Sequence, residues 1–597
     1  MAQIRQIPAL IRAACFDFGD RRHNLEIFER FSGTTKHPPQ CHGSAESLGS
    51  PVLNMAKSAT VSRQSQVASS LAGRSDPWLN SGVWIAVGAL LFYLLFPNRR
   101  FYWDGVGFAA AIEASRGSLA ALLHPNHLIY NLLGYAAWRA AAACGLAVRA
   151  LFVLQTLNAL FAAAAVFLVW NILLELTGST RSSTWGSLIF AFASNWWRFA
   201  GDADAYIPSV FFLILSFRLL LPSPRQRLLG AALAHSAAMM FHELAALFFP
   251  AAVIMLIGYR RCADKNSRNQ GRSRKVISYS SVSLLVTGTA YALAFLLARP
   301  HAGLLDFWNW ITARAQEAVF MFPPPGALEL SIRGTLRLFF GGRVNEIVPG
   351  WISAAGALAF GTIIVLLLCT LARSLRKMRR DSFRDFWHPL LSWTGENTAM
   401  SVWVISYMVF LYFWQPQNVF YRLFYLPPLL LLLAAAPIWR ADRTRFLALI
   451  AAAVFVWNFT VSVYPNSRTE NNEVLVFAQE HSRELDRGAN VLYSNFHTDL
   501  WVISYFNPRA TWIPEPSPEI GQIEARLLEA EQKGQSLWLE GTVYDALAAL
   551  PGGPMWLDQH LDRGRSLFHN TPAHKIRFFR LKKDGRAQVP SAPRYAR

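Results

Sequence analysis

Charge is scarce in this chain, and acid is scarcest. Only 16% of the 597 residues are charged, with 37 acids against 57 basic residues, where an ordinary soluble protein carries about 25%. That scarcity excludes a wholly soluble chain. A hydrophobic content of 53% and a mean hydropathy of +0.24 exclude a disordered one. Cysteine is nearly missing: Cys15, Cys41, Cys144, Cys262 and Cys369 stand alone, with no CxxC pair. A thiolate zinc site is therefore excluded, as is a disulfide-built C-terminal region. No glycine-rich phosphate loop follows any strand-like run, which argues against a nucleotide site. The first 77 residues lack a continuous apolar core and so do not read as a cleavable signal peptide.

What is present is a series of apolar runs between residues 83 and 463. We read eleven membrane spans: Val83–Phe96, Ala150–Leu176, Trp185–Trp197, Tyr206–Leu221, two from Leu228–Tyr259, Val276–Leu297, Trp351–Ala372, Met400–Trp414, Phe420–Pro437 and Phe446–Val463. Leu228–Tyr259 is too long for one helix across a hydrocarbon core of about 30 Å, so a break is expected at His242-Glu243. Leu128–Arg149 carries Arg139 and Arg149 and reads as a helix lying in the interface. The chain thus divides into a disordered cytoplasmic arm (1–77), a polytopic α-helical membrane region (78–463) with outer loops 97–149 and 298–350, and an extracytoplasmic tail (464–597).

The location of the +20 net charge sets the orientation. Segments placed inside by an odd span count hold 28 of the 57 basic residues against 11 acids, a net of +17, whereas the tail has 16 of each sign. That is the positive-inside pattern, with the N-terminus cytoplasmic and the C-terminus outside. It is not the single basic face of a nucleic-acid binder. The short loops and lack of organelle signals point to a bacterial inner membrane.

The unusual residues collect on the outer side. They are Tyr102-Trp103-Asp104-Gly105, then Glu113, His124-Pro125-Asn126-His127, Asp202-Ala203-Asp204-Ala205-Tyr206, His242-Glu243 and Gln415 to Arg422. Each has a bland explanation: Asp104 as a solvated helix cap, Asp202 and Asp204 as N-caps, His242-Glu243 as a packed break, and Tyr421-Arg422 as an interfacial anchor. Their shared side is the signal, because acids beside a bilayer are costly unless solvated, paired or metal-bound.

In order and sidedness these motifs resemble the GT-C class of polytopic glycosyltransferases, which take sugar from a polyprenyl-phosphate carrier, and most of all the branch related to protein O-mannosyltransferases. The resemblance covers residues 80–460 or so. It rests on Asp104 after the first span, the His-Pro segment at 124–127, Asp204-Ala205-Tyr206 at a helix start, and Tyr421-Arg422 followed by Pro427-Pro428. Members often carry a second acid within three residues of the first; here that place is Gly107 and the next acid is Glu113.

The resemblance implies a transferase moving sugar to a hydroxyl on a glycan, lipid or protein. Asp104 is then the general base. His124, His127, Tyr206, Tyr421 and Arg422 are candidates for binding sugar or lipid phosphate, with Arg314 and Arg343 as further cations. Asp202 and Asp204 are candidates to hold a divalent cation, Mg or Mn, or to orient the acceptor. Trp308 and Trp310 are placed to stack on sugar or to sit at headgroup level. The partners implied are the lipid-linked donor, its hydroxyl acceptor and membrane lipids, with no nucleic acid. Two other readings of the same chain are a non-catalytic assembly or scaffold protein and a secondary transporter; no internal repeat supports the latter.

The tail changes pattern. Helices are expected at Asn472–Leu485, Leu500–Tyr505, Glu519–Gln532 and Asp545–Leu550, with strands at 491–493, 511–513, 536–540 and 576–581. This is a small α/β domain for docking or acceptor recognition. His497 and Asp499 read as a structural loop pair.

Overall fold

The computed structural model describes residues 77–221, 227–258, 268–317, 326–342, 350–377, 395–435, 443–486, 488–570 and 575–582. The arm 1–76, Arg343 and the side chain of Arg314 lie outside the described residues.

The membrane part begins with α1 (Pro77–Leu95), α2 (Trp103–Ala114), α3 (Tyr130–Ala143), α4 (Ala150–Thr177) and α5 (Thr180–Phe192). It continues with α6 (Tyr206–Leu220), α7 (Leu228–Phe241), α8 (Phe249–Gly258), α9 (Arg268–Ala298), α10 (Leu304–Glu317) and α11 (Ala327–Phe339). The last four are α12 (Trp351–Lys377), α13 (Gly395–Trp414), α14 (Leu426–Ala435) and α15 (Arg443–Asn458). Among the described residues, five stretches are long and apolar enough to cross a bilayer: Ala150–Thr177, Gly271–Ala298, Trp351–Arg373, Gly395–Trp414 and Thr444–Ser467. Five shorter apolar helices accompany them, among them Tyr206–Leu220 and Leu228–Phe241. The expected break falls at His242, which is extended (φ −158°, ψ 126°) between α7 and a 3-10 turn. Its Nδ1 accepts from Leu244 N at 3.1 Å, satisfying a backbone donor that the break would otherwise strand. The expected third span is also broken: α5 stops at Phe192, and a separate short helix runs from Ser194 to Ala200.

Polar side chains in the bundle repair such irregularities. Asn458 donates to the carbonyls of Phe192 (2.8 Å) and Phe339 (2.6 Å) and accepts from Gly341 N (3.0 Å). It fastens three segments just before the chain widens into a π turn at Phe459–Val463. The 298–350 stretch, expected as a loop, contains the amphipathic helices α10 and α11. Trp310 packs on Phe295 of α9 (centroids 5.6 Å apart), while Trp308 is exposed.

The tail forms α16 (Glu473–Glu480), β1 (Asn490–Tyr493), α17 (Thr498–Phe506), β2 (Thr511–Pro514), α18 (Ile520–Gln532) and β3 (Leu537–Glu540). These are followed by α19 (Gly541–Ala548), α20 (Gly553–His560), β4 (Leu567–Asn570) and β5 (Lys575–Arg580). The sheet runs β2-β1-β3-β5-β4, with β1 parallel to β2 and β3, and β5 antiparallel to β3 and β4. Strand periodicity divides its two faces. Leu492, Leu537, Leu539 and Phe579 pack against α18, α19 and α20. Val491, Tyr493, Trp512, Trp538 and Phe578 join a core that also contains Phe101, Val106, Ile112 and Tyr130 of the first outer loop. The tail and the 97–149 segment therefore share one apolar core.

Candidate active site

The site is built on the loop between the Ser194–Ala200 helix and α6. Two polar residues about one turn apart on the largely apolar α4 organise it. Gln155 Nε2 donates to the carbonyls of Asn98 (2.8 Å) and Gly201 (2.9 Å), and Asn158 Nδ2 donates to those of Asp202 (2.9 Å) and Asp204 (2.7 Å). Asp202 is fully buried. Its Oδ2 accepts from Asn98 Nδ2 (2.6 Å) and Tyr102 N (3.0 Å), and its Oδ1 accepts from Ala203 N (2.8 Å). Burial pushes its carboxyl up to about 6, and these bonds and Arg198 hold it from going higher.

Asp204 begins α6 in the expected capping role, its Oδ1 accepting from Tyr206 N at 3.0 Å. Its Oδ2 is buried and has no hydrogen-bond partner among the described residues. Burial first, and then the charge of Asp104, raise this carboxyl well above the usual range. Asp104 thus shares the site with Asp204, although a hundred residues separate them. The backbones confirm the proximity: a β-carbon on Gly105 would stand 2.0 Å from Ala203 O. Asp104 itself lies in the first turn of α2, half-buried.

Around this pair stands a wall of rings centred on Tyr206. Phe420 stacks on it at 5.5 Å with planes 6° apart, and Tyr421 (5.5 Å), His242 (5.0 Å) and His127 (6.4 Å) meet it at steeper angles. His127 lies 4.9 Å from His242 and 5.7 Å from His124, and its Nδ1 is 3.2 Å from Phe241 O. Tyr102 packs on Phe420 at 5.2 Å. Its phenol is raised by burial and by the charges of Asp104 and Asp204, so it remains a neutral donor. Burial drops His242 to about 3, so this imidazole is also neutral.

The structure therefore brings together Asp104, His124, His127, Asp202, Asp204, Tyr206 and Tyr421. Arg422 sits at the edge of this group and faces away from solvent, 1% exposed. Its Nε donates to Asn418 O (2.9 Å), one amino group to Pro416 O (2.6 Å) and the other to Tyr425 Oη (2.7 Å). No carboxylate among the described residues pairs with it, so its charge is held by neutral oxygens alone. Glu113 is elsewhere: Arg149 and Tyr505 of the tail engage it, so it does not supply a second site acid.

Of the two candidate metal carboxylates, only Asp204 keeps an oxygen without a hydrogen-bond partner among the described residues. Three donors already occupy the Asp202 oxygens, and no group of three or more His, Cys, Asp and Glu side chains able to hold a metal occurs among the described residues. Sequence reading passed over Tyr102, Phe420, Gln155 and Asn158 as functional residues. The last two carried a usable signal, two amides three residues apart inside an apolar span.

No family model matches the chain, and no curated protein matches it in sequence. Its fold is similar to that of a solved GT-C glycosyltransferase, ArnT from Cupriavidus metallidurans bound to undecaprenyl phosphate. The TM-score is 0.53 at 11% identity, over 85% of this chain and 98% of that one. ArnT from the same organism in the apo state aligns at a TM-score of 0.42 and 12% identity, over 83% and 97%. At these identities the likeness is one of fold.

Proposed function

We propose that this protein is an integral membrane glycosyltransferase that moves a sugar from a polyprenyl-phosphate carrier to a hydroxyl acceptor on the extracytoplasmic face. The observation that carries the reading is the meeting of Asp104 and the buried Asp204 inside an aromatic pocket, on a fold shared with ArnT. Attack by a hydroxyl needs a carboxylate to take its proton. Asp104, half-buried at the pocket rim, fills that role, and Asp204, whose carboxyl is pushed toward its neutral form by burial and by the charge of Asp104, stands beside it. As the sugar leaves, charge builds on the carrier phosphate. Arg422, a buried cation without a counter-charge, supplies a positive potential there, and His124 and His127 supply donors. The rings of Tyr206, Phe420 and Tyr421 give the sugar an apolar face to lie on.

In this reading eleven helices cross an inner membrane with the N-terminus inside. The C-terminal α/β region stands outside, packed on the 97–149 segment, and the acceptor docks against it. Kinship with the O-mannosyltransferase-related branch rests on motif order alone.

The test is sugar transfer in reconstituted vesicles supplied with a panel of polyprenyl-phosphate sugars, read as release of polyprenyl phosphate. The wild type releases it, and Asp104→Asn lowers the rate at least 100-fold with an unchanged melting temperature. Full activity in Asp104→Asn would remove the base assignment. One observation favours the assembly-protein reading: Trp501 of the tail covers Gly107, where relatives of the resembled class carry an acid. A wild type inert with every donor would decide for that reading.

A further inference from the structure

The ends of α1 and α4 border a cavity of about 250 Å³ that lies behind the acid loop, with Gln155 and Gly201 in its wall and none of the rings around Tyr206. Its lining includes Tyr93, Leu94, Arg99, Phe152, Thr156 and Gly201, and Arg99 is its only charged group. The guanidinium lies 5.3 Å over the Phe152 ring. No carboxylate or carbonyl among the described residues accepts from it. Both sides of the Arg99 backbone are pinned: its N–H donates to Asn466 O at 2.7 Å, and its carbonyl accepts from Asn472 Nδ2. The chain thus aims a half-buried cation at open space and gives it no counter-charge. Leaving it so costs free energy that an arriving anion recovers. Burial also lowers the Arg99 side chain from its ordinary range, in keeping with a cation short of partners.

The mouth identifies what carries the anion. Below it the surface is apolar and uncovered: Leu91, Leu94 and Leu160 are 54%, 43% and 47% exposed on two helices of the bundle. A hydrocarbon chain running along α1 and α4 would cover those leucines while its head entered the cavity. We propose that this cavity binds the phosphate of a membrane lipid, with Arg99 as the anchoring cation and the lipid tail lying in the α1–α4 groove. The proposal stands whether or not the chain transfers sugar. Such a lipid would brace the acid loop from behind, because Asn98, next to Arg99, holds Asp202 Oδ2 at 2.6 Å and Gly201 forms part of the cavity wall.

The experiment measures lipid retention by the full-length, delipidated protein in detergent, using native mass spectrometry. The probes are phosphatidylglycerol, undecaprenyl phosphate, inorganic phosphate and diacylglycerol. The quantity read is the change each variant makes to the affinity for each probe, so that binding elsewhere cancels. Arg99→Gln is expected to weaken a phosphate lipid at least tenfold. Arg100→Gln, one residue along, leaves it within twofold. Thr156→Trp, which fills the mouth with Arg99 intact, weakens it as much as Arg99→Gln and decides the matter should Arg99→Gln fail to fold. A larger effect on phosphatidylglycerol than on undecaprenyl phosphate names a bilayer lipid as occupant, and the reverse names the carrier. Equal retention by wild type and both variants overturns the proposal. So does diacylglycerol held as tightly as phosphatidylglycerol, or inorganic phosphate alone bound as well as either lipid.

Discussion

The backbone of Gly107 lies against the indole of Trp501: a β-carbon there would stand 3.0 Å from the ring's Cζ3. Trp501 belongs to α17, and its ring is 6.4 Å from Trp103 and 5.2 Å from Phe496. The place at which members of the resembled class often carry a second acid is thus faced here by an aromatic group of the tail. Gly107→Ala should cost about 1–2 kcal/mol through overpacking. Gly107→Asp should cost more, because its carboxylate is pressed against an indole. Adding Trp501→Ala to Gly107→Asp should restore part of the melting temperature. If the double variant melts no higher than Gly107→Asp, the steric account is wrong.

A second joint between the tail and the 97–149 segment is polar. Arg149 grips both oxygens of Glu113 (2.9 and 3.0 Å from Nε), donates to Tyr505 O at 3.0 Å and lies 3.9 Å over the Tyr505 ring. Tyr505 Oη donates to the same carboxylate at 2.7 Å. Removing one member leaves partly buried polar groups unpaired, so Glu113→Gln should destabilise by roughly 1–3 kcal/mol and Tyr505→Phe by about 1 kcal/mol. A double-mutant cycle on thermal denaturation should show coupling above about 0.5 kcal/mol. Strict additivity would mean that the two do not act through one network.

The helical segments were legible because lipid forces a plain code: apolar runs, with charge confined to loops. The break at His242 was legible from length alone, and in the tail short apolar runs revealed four of the five strands described. The missed strand, Leu567–Asn570, is an edge paired only to β5 and has Phe568 exposed, so it lacks the run of buried residues that marks β1 and β3. In the site, Asp104, Asp204 and Tyr206 were legible from sidedness. Arg422 was legible as a cation but not as a buried one, since no local pattern announces that Pro416 and Asn418 will turn their carbonyls onto it. Nor could sequence show Trp501 over Gly107, a contact made nearly 400 residues along the chain.

Asp202 carries a prediction about acidity. Its folded carboxyl is raised from 3.8 to about 6, so between those values the folded chain binds a proton that the unfolded chain has released. Stability contributed by this group is then present at low pH and falls as pH rises through that window. At neutral pH the penalty is at most about 3 kcal/mol. Asp202→Asn loses acceptor capacity toward Asn98, Tyr102 and Ala203 at every pH, so it should melt lower overall. Its melting temperature should nevertheless vary less between pH 4 and 6.5 than that of the wild type. Parallel curves for the two proteins would show that Asp202 is not the titrating group.

The last prediction concerns a glycine on a different helix from the charge it serves. Gly334 of α11 sits against Arg422 so closely that a β-carbon would stand 2.4 Å from Nε and 2.9 Å from Cζ. A lone arginine tip could swing aside, but three hydrogen bonds to Asn418, Pro416 and Tyr425 hold this one, and Tyr425 is itself fixed by Thr335 at 2.9 Å. Gly334→Ala must therefore either push the guanidinium off its carbonyls or tilt α11. In the first case the Gln415–Tyr421 turn loses its anchor, and with it the Phe420 ring stacked on Tyr206. If Arg422 supplies potential to the carrier phosphate, Gly334→Ala should raise KM for the polyprenyl-phosphate donor and lower kcat/KM at least tenfold, as Arg422→Gln does. Combining the two should add little to either alone, since both remove the same placed charge. Arg422→Lys should not rescue, because an ammonium cannot span acceptors spread over Pro416, Asn418 and Tyr425. Wild-type kinetics in Gly334→Ala would show that the guanidinium has room to move, and that its position is immaterial to transfer.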